Sequence, residues 1–487
     1  MKSRLSVILL PLVCLLLAAC SKSGDSRLFE AVPADAAGAI FAAKSFVDSR
    51  QASGFFDGDS LWTKALTDGG LDGMAVCLAD GITEPVAIFS LENVDAVRAC
   101  LTEAGAAKVD TGDDTEVYSM DDEYVLIAAE GRFVYKGTPS TPDEKVKFAH
   151  LYASAKRNPF GRSVYCGALE TKGDLFGYYE IPRNTRVALM AAGVPSEMLT
   201  VLEGAVVFDG TAEGPALEAR TWLVSPEGEK RTFGSYLPFS LDTSARISKE
   251  ALAYMGPNIS LVAASALKDV NWEEFTNMLN NSKSLSFQQR AMLLMMRPYL
   301  EKIDGTVAVG LGVSLTKGQN LTSIAFDPSN LMGTVAIETV SGQAAALRSQ
   351  IKELIKMAGL ATIDTKNGFS CSLPGVDVAL SVETRGRLIL LSTRPLVSGG
   401  NQSPALSVIP FADYISAVAL SLPAESPLFD MLPSGAERQD VSLGLGLDAK
   451  NSELTVKFVC GRDGSWFDNF IRMSSRTSDT KLSKFKK

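Results

Sequence analysis

The chain has 487 residues, of which 46% are apolar and 21% charged, with a formal net charge of -9, one histidine and seven cysteines. A disordered chain would be poorer in apolar residues, a disulfide-built miniprotein would be shorter, and a nucleic-acid-binding protein would be basic. The single histidine, His150, excludes a histidine-rich metal site. The composition predicts a globular protein of two to four domains at about 150 residues each.

The first twenty residues have the pattern of a secretory signal. Lys2 and Arg4 precede an apolar core, Leu5 to Leu17, that is shorter than the roughly 20 residues of a membrane-spanning helix. The core ends in Leu17-Ala18-Ala19-Cys20, which resembles a bacterial lipobox, whose cysteine thiol accepts diacylglycerol. We therefore predict a signal peptide at 1–19 and lipidation of Cys20. An ordinary signal peptide with an incidental cysteine is the alternative.

Residues 20–27 are small and polar, which predicts a flexible tether. Ser21, rather than aspartate, follows Cys20, and by resemblance to enterobacterial sorting this favours the outer membrane. Two or three acyl chains hold a protein firmly at a bilayer. We expect a lipid-anchored protein on the periplasmic or the surface face of that membrane.

The next 200 residues predict an α+β domain. A strand at 39–42 is followed by a helical segment with Trp62 and by a strand containing Val86-Ala87-Ile88. A helix then ends at Gly105 as its C-cap, and Gly131-Arg132 marks a hairpin turn. The final strands of this region are predicted at 178–182, 205–208 and 217–224.

Three features of this domain are candidates for chemistry or binding. His150 is predicted on a helix surface rather than in a catalytic triad. The acidic clusters at 113–114 and 121–123 are predicted in hairpin turns, where solvated carboxylates are common, with a calcium site as the alternative. The turn Asn158–Gly161 is predicted to expose Phe160.

The second half of the chain repeats the order of these elements. The matching features are a strand at 259–264, Trp272, Val335-Ala336-Ile337, Gly359, Gly386-Arg387, and strands at 417–423, 441–447 and 454–460. We therefore predict two tandem, duplicated α+β domains with mainly antiparallel sheets covered by helices, which the element order favours on one face. Many strands look buried on both sides, so a helix layer or a second sheet is expected to cover them. Two unrelated α+β domains are the alternative.

The predicted bounds are 28–236 for the first domain and 237–472 for the second, with a polar linker at 237–248. Residues 473–487 form a basic tail that is predicted to be disordered.

The second domain carries a longer helical insertion at 272–299. Its apolar residues are predicted to contact the core, namely Phe275, Met278, Leu279, Met292, Leu293 and Met296. Because methionine side chains adapt to different partners, an exposed binding surface is the alternative.

No standard catalytic or cofactor-binding motif occurs. Gly310-Leu311-Gly312 and Gly444-Leu445-Gly446 lie in alternating apolar runs, which indicates strand glycines rather than nucleotide loops. Ser265–Lys268 fits SxxK, but the accompanying KTG motif is missing. We therefore predict no catalytic, cofactor-binding or metal-binding residue.

Cysteines and tryptophans complete the candidates. Five cysteines remain besides Cys20 in the mature chain, without any CxxC unit, and we predict buried free thiols, with one disulfide as the alternative: Cys77, Cys100, Cys166, Cys371 and Cys460. Four tryptophans could supply sugar-stacking platforms: Trp62, Trp222, Trp272 and Trp466. The matching positions of Trp62 and Trp272 favour packing for those two.

The lipobox, the Val-Pro-Ala-Asp-Ala sequence at 32–36 and the sequence from Tyr299 to Gly305 leading into Val307–Val313 together resemble uncharacterised lipoproteins of Bacteroidota. Those chains have a similar length, and their main region is a domain of unknown function. The resemblance covers nearly the whole mature chain, implies a gut or oral anaerobe, and supplies no catalytic residue.

These observations predict a non-enzymatic envelope protein that binds a partner protein or a glycan and no nucleic acid. An exported hydrolase that uses Asp or Glu in an inter-domain cleft is the alternative. A structural spacer is a third hypothesis.

Overall fold

The structure is a computed structural model. It describes residues 27–43, 61–109, 115–120, 122–170, 173–191, 199–233, 240–281, 286–312, 315–317, 324–326, 332–372, 378–396, 402–426, 429, 437–466, 469–470 and 473. The predicted signal peptide, Cys20, the acidic pair at 113–114 and nearly all of the basic tail lie outside these residues.

The described chain forms two compact units. Unit 1 falls within Met1–Pro182, Glu203–Lys230 and Gly461–Lys487, and unit 2 within Arg183–Leu202 and Arg231–Cys460. These limits differ from the predicted bounds at both ends of the second domain. Trp466 shows why the last segment groups with unit 1, because its backbone N–H donates to the carbonyl of Gly214 over 2.8 Å and its side chain is buried.

Unit 1 contains one antiparallel sheet of ten strands with the order β10-β9-β8-β1-β2-β3-β7-β6-β5-β4. The strands are β1 (Gly38–Ala43), β2 (Leu71–Leu78), β3 (Val86–Leu91), β4 (Ala107–Val109), β5 (Glu116–Met120), β6 (Glu123–Ile127), β7 (Phe133–Gly137), β8 (Leu175–Glu180), β9 (Ala205–Glu213) and β10 (Ala216–Val224). The helices are α1 (Leu28–Ala31), α2 (Leu61–Asp68), α3 (Asp95–Glu103), α4 (Pro142–Ala149) and α5 (Leu151–Arg157).

Helices cover the central strands of this sheet on both faces, so the prediction of helices on one face is wrong. Along β7, Tyr135 packs in a cluster with α1, α4 and α5, whereas its neighbour Val134 packs in a second cluster with α2 and α3. Successive side chains of a strand point to opposite faces. Each apolar neighbour pair of this kind therefore needs cover on both sides of the sheet.

Phe160 is buried, which contradicts the predicted exposed turn. The Asn158–Gly161 turn continues into a short 3-10 helix at Phe160–Arg162, and the Phe160 backbone N–H donates to the carbonyl of Val32 over 2.7 Å. The Phe160 ring then stacks on Tyr178 with 5.0 Å between centroids. Burial of a phenylalanine ring contributes more free energy than the general preference of turn residues for the surface, so the ring packs inside.

Unit 2 also contains an antiparallel sheet of ten strands, with the order β22-β21-β20-β11-β12-β15-β19-β18-β17-β16. The strands are β11 (Leu261–Leu267), β12 (Ile303–Gly312), β15 (Met332–Thr339), β16 (Thr362–Thr365), β17 (Gly368–Ser372), β18 (Ala379–Arg385), β19 (Leu388–Ser392), β20 (Ser416–Leu422), β21 (Val441–Asp448) and β22 (Glu453–Cys460), and a separate ribbon pairs β13 (Leu315–Lys317) with β14 (Ile324–Phe326). The helices are α6 (Arg183–Ala191), α7 (Lys249–Leu252), α8 (Trp272–Asn281), α9 (Phe287–Leu300) and α10 (Ala344–Met357).

The two sheets have the same strand order, strand for strand. In both units a glycine closes the helix after the third sheet strand in a Schellman motif, with positive φ at Gly105 and Gly359. Positive φ also occurs at the predicted hairpin glycines, Gly131 and Gly386. The α+β class and the predicted glycine positions are therefore confirmed.

The shared Val-Ala-Ile tripeptides lie in equivalent strands but are one residue out of register. The backbone N–H of Leu91 donates to the carbonyl of Arg132, and that of Thr339 donates to the carbonyl of Arg387. Counting back from these hairpins pairs Ile88 with Ala336, and both residues are buried on the corresponding faces of their sheets.

The segment predicted as a linker belongs to unit 2 where it is described. Ala245 and Ile247 are buried in the core of unit 2, and Ser248 caps α7 by accepting a hydrogen bond from the backbone N–H of Ala251. Ala245 and Ile247, which lie four and two residues before α7, hold this segment in the core of unit 2.

We expect Phe160→Ala to lower the free energy of unfolding of unit 1 by about 3–5 kcal/mol, because it leaves a cavity among packed aromatic rings. Phe287→Ala removes the same atoms from a side chain that is 84% exposed, and we expect a change within about 0.5 kcal/mol. Urea unfolding of the two variants measures the difference. Equal losses would contradict the burial described for Phe160.

Candidate functional site

Unit 2 presents an apolar helix face outward. The helix α9 begins at a capping box, in which the Ser286 side chain accepts from the backbone N–H of Gln289 and the Gln289 side chain accepts from the backbone N–H of Ser286. From this start, Phe287, Met292 and Met295 expose 84%, 60% and 69% of their surface. The prediction that this insertion packs into the core is wrong for Met292 and also for Met296.

The polar side of α9 explains this orientation. The Arg290 guanidinium donates to the carbonyl of Asn280 over 3.0 Å, and Arg297 lies 3.8 Å from the carboxylate of Glu273. Both arginines therefore contact the neighbouring helix α8, and the apolar residues are turned away from it. Phe287, Met292 and Met295 lie within about 140° of one another around the helix axis and form what we call the α9 face, and Leu294 and Met296 are exposed on either side of it.

A cleft with a volume of about 370 Å³ lies elsewhere in unit 2. Its walls are residues 253–259 after α7, the start of β15 and the residues that follow β19. Ser403 fixes the first wall, because its backbone N–H donates to the carbonyl of Met255 and its hydroxyl donates to the carbonyl of Ile259. Because Ser403 is buried and holds two main-chain carbonyls, the position of this wall is fixed by the fold.

Arg394 is the charged residue of the cleft. The hydroxyl of Ser392 accepts from the backbone N–H of Arg394 and donates to its carbonyl, so the backbone at Arg394 is fixed. Within the described ranges no carboxylate pairs with the Arg394 guanidinium. The other lining residues are neutral, and the apolar ones include Ile259, Met332, Pro395 and Leu396.

In unit 1 a buried carboxylate is enclosed by hydrogen-bond donors. Glu144 accepts from the hydroxyl and the backbone N–H of Thr83, from both groups of Ser140, and from the backbone N–H of Thr141. These hydrogen bonds, led by that of the Thr83 hydroxyl, lower the pKa of Glu144 from 4.5 to about 2. Because all of these groups donate to the carboxylate oxygens, they stabilise the ionised form of Glu144.

The predicted thiols are free, and the disulfide alternative is wrong for the five described cysteines. Burial raises the pKa of Cys77 and of Cys460 to about 12, so neither thiol forms a nucleophilic thiolate at neutral pH. Cys100 and Cys371 are buried as well, and Cys166 is half-buried.

The remaining motif candidates take structural roles. His150 is exposed at the junction of α4 and α5. The Ser265 hydroxyl lies 2.8 Å from that of Ser416, and Lys268 pairs with Asp242, so the SxxK residues do not meet.

The strand glycines are confirmed, since a Cβ at Gly310 or Gly444 would overlap neighbouring side chains. Trp222 and Trp466 are buried and offer no sugar platform, whereas Trp62 packs on Phe89 and Trp272 on Phe275.

Carboxylates with raised pKa do not converge. Burial raises the pKa of Glu180 and of Asp209, and Asp209 also pairs with Arg220 over 3.0 Å. The strand register places the Cα atoms of these residues four residues apart along β8 and β9, a span of about 13 Å, and the Asp209 carboxylate is already held by Gly173 and Arg220. A glycosidase pair needs about 5–9.5 Å. Among the described residues no group of three His, Cys, Asp or Glu side chains could hold a metal ion.

Two of these features were missed by the sequence analysis. The sequence Thr141-Pro142-Asp143-Glu144 has the [ST]-x-x-[DE] pattern of a capping box with proline at its first helical position, so α4 and Glu144 had a recognisable signal. Arg394 had none, because an isolated arginine after a strand is common on surfaces.

The comparisons with known proteins identify no family. No family model and no curated protein matches the sequence. Among solved structures, crystal form I of TP0453 is 13% identical with a TM-score of 0.29, over 42% of this chain and 79% of that chain. Crystal form III of TP0453 is 11% identical with a TM-score of 0.29, over 42% and 80%.

The described helices were also compared with what a bilayer requires. None of the helices in the part of the chain that the structure covers has the length and hydropathy to cross a membrane.

Stability should depend on the ionised form of Glu144. Because its pKa is depressed in the folded chain, the contribution is complete above pH 4.5 and is lost as the pH falls toward 2. We expect Glu144→Gln to be less stable than the wild type at pH 7 and this difference to shrink across that window. Urea midpoints measured from pH 7 to pH 2 test it, with Asp143→Asn, exposed in the same turn, as the control. A pH-independent difference would contradict the assignment.

Proposed function

We propose that the chain is a lipid-anchored protein of the outer membrane, held by an acylated Cys20. The support is the sequence of basic residues, short apolar core and lipobox, followed by Ser21. Acylation would place both units at a membrane surface without a spanning segment.

We expect the wild type and Cys14→Ala to incorporate labelled palmitate and to fractionate with the outer membrane. Cys20→Ala should do neither, because it removes the acyl acceptor. Cys14 is a matched control, since it lies in the same apolar core. Labelling of Cys20→Ala at the wild-type level would refute the proposal.

We further propose that the two units arose by duplication of one α+β domain. Ten strands in the same order, matching glycine C-caps and matching hairpin glycines support this. Two unrelated antiparallel sheets have many other strand orders open to them. Among the described residues the main difference between the units then points to specialisation: the part of the β1–β2 connection that is described, 61–70, carries the eight-residue helix α2, whereas the β11–β12 connection carries α8 and α9.

For the molecular function we propose non-enzymatic binding of a partner protein through the α9 face. The observation that carries the proposal is the exposure of Phe287, Met292 and Met295 on one helix. Exposed apolar patches of this kind mark interaction sites, and methionine adapts its shape to a partner surface.

Charge favours a protein over a lipid surface as the occupant. A helix that lies on an anionic bilayer carries Lys and Arg on its polar face that point into the headgroups. Here Arg290 and Arg297 are engaged with α8, and the carboxylates of Glu273 and Glu301 pair with Arg297. The uncharged α9 face therefore fits a partner with an apolar, uncharged groove.

The hydrolase alternative remains a hypothesis with a stated requirement. It needs two carboxylates within reach of one substrate, and the described cleft is lined by none. Glu180 and Asp209 lie too far apart along their strands to supply the pair.

A photo-crosslinking residue at Met295 in living cells tests the binding proposal. We expect one discrete protein adduct that is absent when the crosslinker replaces Glu353, an exposed residue of α10. The identified partner is then purified, and its affinity for the wild type is compared with that for Met292→Asp with Met295→Asp. We expect a loss of at least about tenfold, because a buried carboxylate at the interface has no partner.

Two outcomes would overturn this assignment. One is an affinity unchanged by the paired aspartate substitutions. The other is flotation of the unlipidated chain with protein-free vesicles that the same substitutions abolish, which would assign the α9 face to the bilayer.

A further inference from the structure

The cleft of unit 2 and the Glu144 site of unit 1 lie at the same end of equivalent strand pairs. The β3–β7 pair of unit 1 corresponds to the β15–β19 pair of unit 2 in strand order and in hairpin contacts. Counting from those contacts, Ser140 and Thr141 correspond to Pro395 and Leu396. Ser140 and Thr141 hold the Glu144 carboxylate, and Pro395 and Leu396 line the cleft.

The described residues at this end of the sheet differ between the two units. In unit 1 the chain returns as α4 directly after β7 and inserts its own carboxylate between Thr83 and Ser140. In unit 2 the described residues after β19 include Arg394, Pro395 and Leu396, and these line a cleft together with residues 253–259.

We propose that the cleft of unit 2 binds a small carboxylate ligand with an apolar body, whose carboxylate pairs with Arg394. The ligand carboxylate would take the place that Glu144 takes in unit 1. Arg394 supplies one positive charge in a lining that is otherwise neutral, so a ligand with one negative charge matches it.

The rest of the lining defines the ligand's body. Ile259, Met332 and Leu396 offer apolar surface, and Asn258 is a neutral polar residue of the lining. The volume of about 370 Å³ is at the lower end for small-molecule sites. A short aliphatic acid or the carboxyl end of a short apolar peptide has this chemistry and this size.

Isothermal titration calorimetry on the mature chain carrying Cys20→Ala, made without the signal segment, tests the proposal with octanoate, octanol and N-acetyl-Leu-Leu. We expect a carboxylate probe to bind and octanol to bind at least about tenfold more weakly, because octanol lacks the charge. Binding of octanoate alone assigns a free aliphatic acid, and binding of the peptide alone assigns a peptide carboxyl end.

Substitutions then locate the site. Arg394→Gln should weaken the binding carboxylate by about tenfold or more, Arg394→Lys should retain part of the affinity, and Lys450→Gln, which removes an exposed charge outside the cleft, should change nothing. Unchanged thermal melting of Arg394→Gln excludes misfolding as the cause. Absence of binding by both carboxylates, equal binding of octanol, or equal affinity in Arg394→Gln would each overturn the proposal.

Discussion

Cover on both faces of an antiparallel sheet is the constraint on which the rest of the fold depends. In unit 1, Val134 and Tyr135 are consecutive, buried and on opposite sides of β7, and in unit 2 Ile389 and Leu390 repeat this on β19. A strand of this kind cannot face water on either side. The helices after the third strand of each sheet, and the segments that precede the first, supply the two covers.

The same constraint separates what the sequence predicts from what it does not. Alternation and glycine placement are local, so the strands, the Gly105 and Gly359 caps and the hairpin glycines could be predicted. The register of the Val-Ala-Ile strands could not, because a slip of one residue exchanges the faces and only the hairpin contacts of Arg132 and Arg387 decide it. The prediction that Phe160 is exposed was wrong for a related reason, since its burial depends on rings that are distant in the sequence, such as Tyr178.

The α9 face was predicted only as an alternative, and the reason is physical. Apolar residues at helical spacing predict a buried stripe when the opposite face is polar. In α9 the polar residues Arg290 and Arg297 contact α8. The apolar side chains, which the sequence pattern assigns to the core, are therefore exposed to solvent. Sequence periodicity identifies an amphipathic helix but does not say which of its faces packs against the neighbouring helix.

Because the two sheets have the same strand order, equivalent positions of unit 1 and unit 2 can be compared. The β3–β7 end of unit 1 is completed by Glu144, whose five donors satisfy a carboxylate fully, and α4 thereby closes the sheet. In unit 2 Pro395 stands where Ser140 supplies two donors, and it has neither, whereas Leu396 keeps the backbone N–H that Thr141 uses. The loss of the Ser140 donors weakens self-closure, and the exposed guanidinium of Arg394, which no carboxylate of the described residues pairs with, is open to water or to an anion. Among the described residues, Glu144 supplies the negative charge at this end of unit 1, and we propose that a ligand supplies it in unit 2.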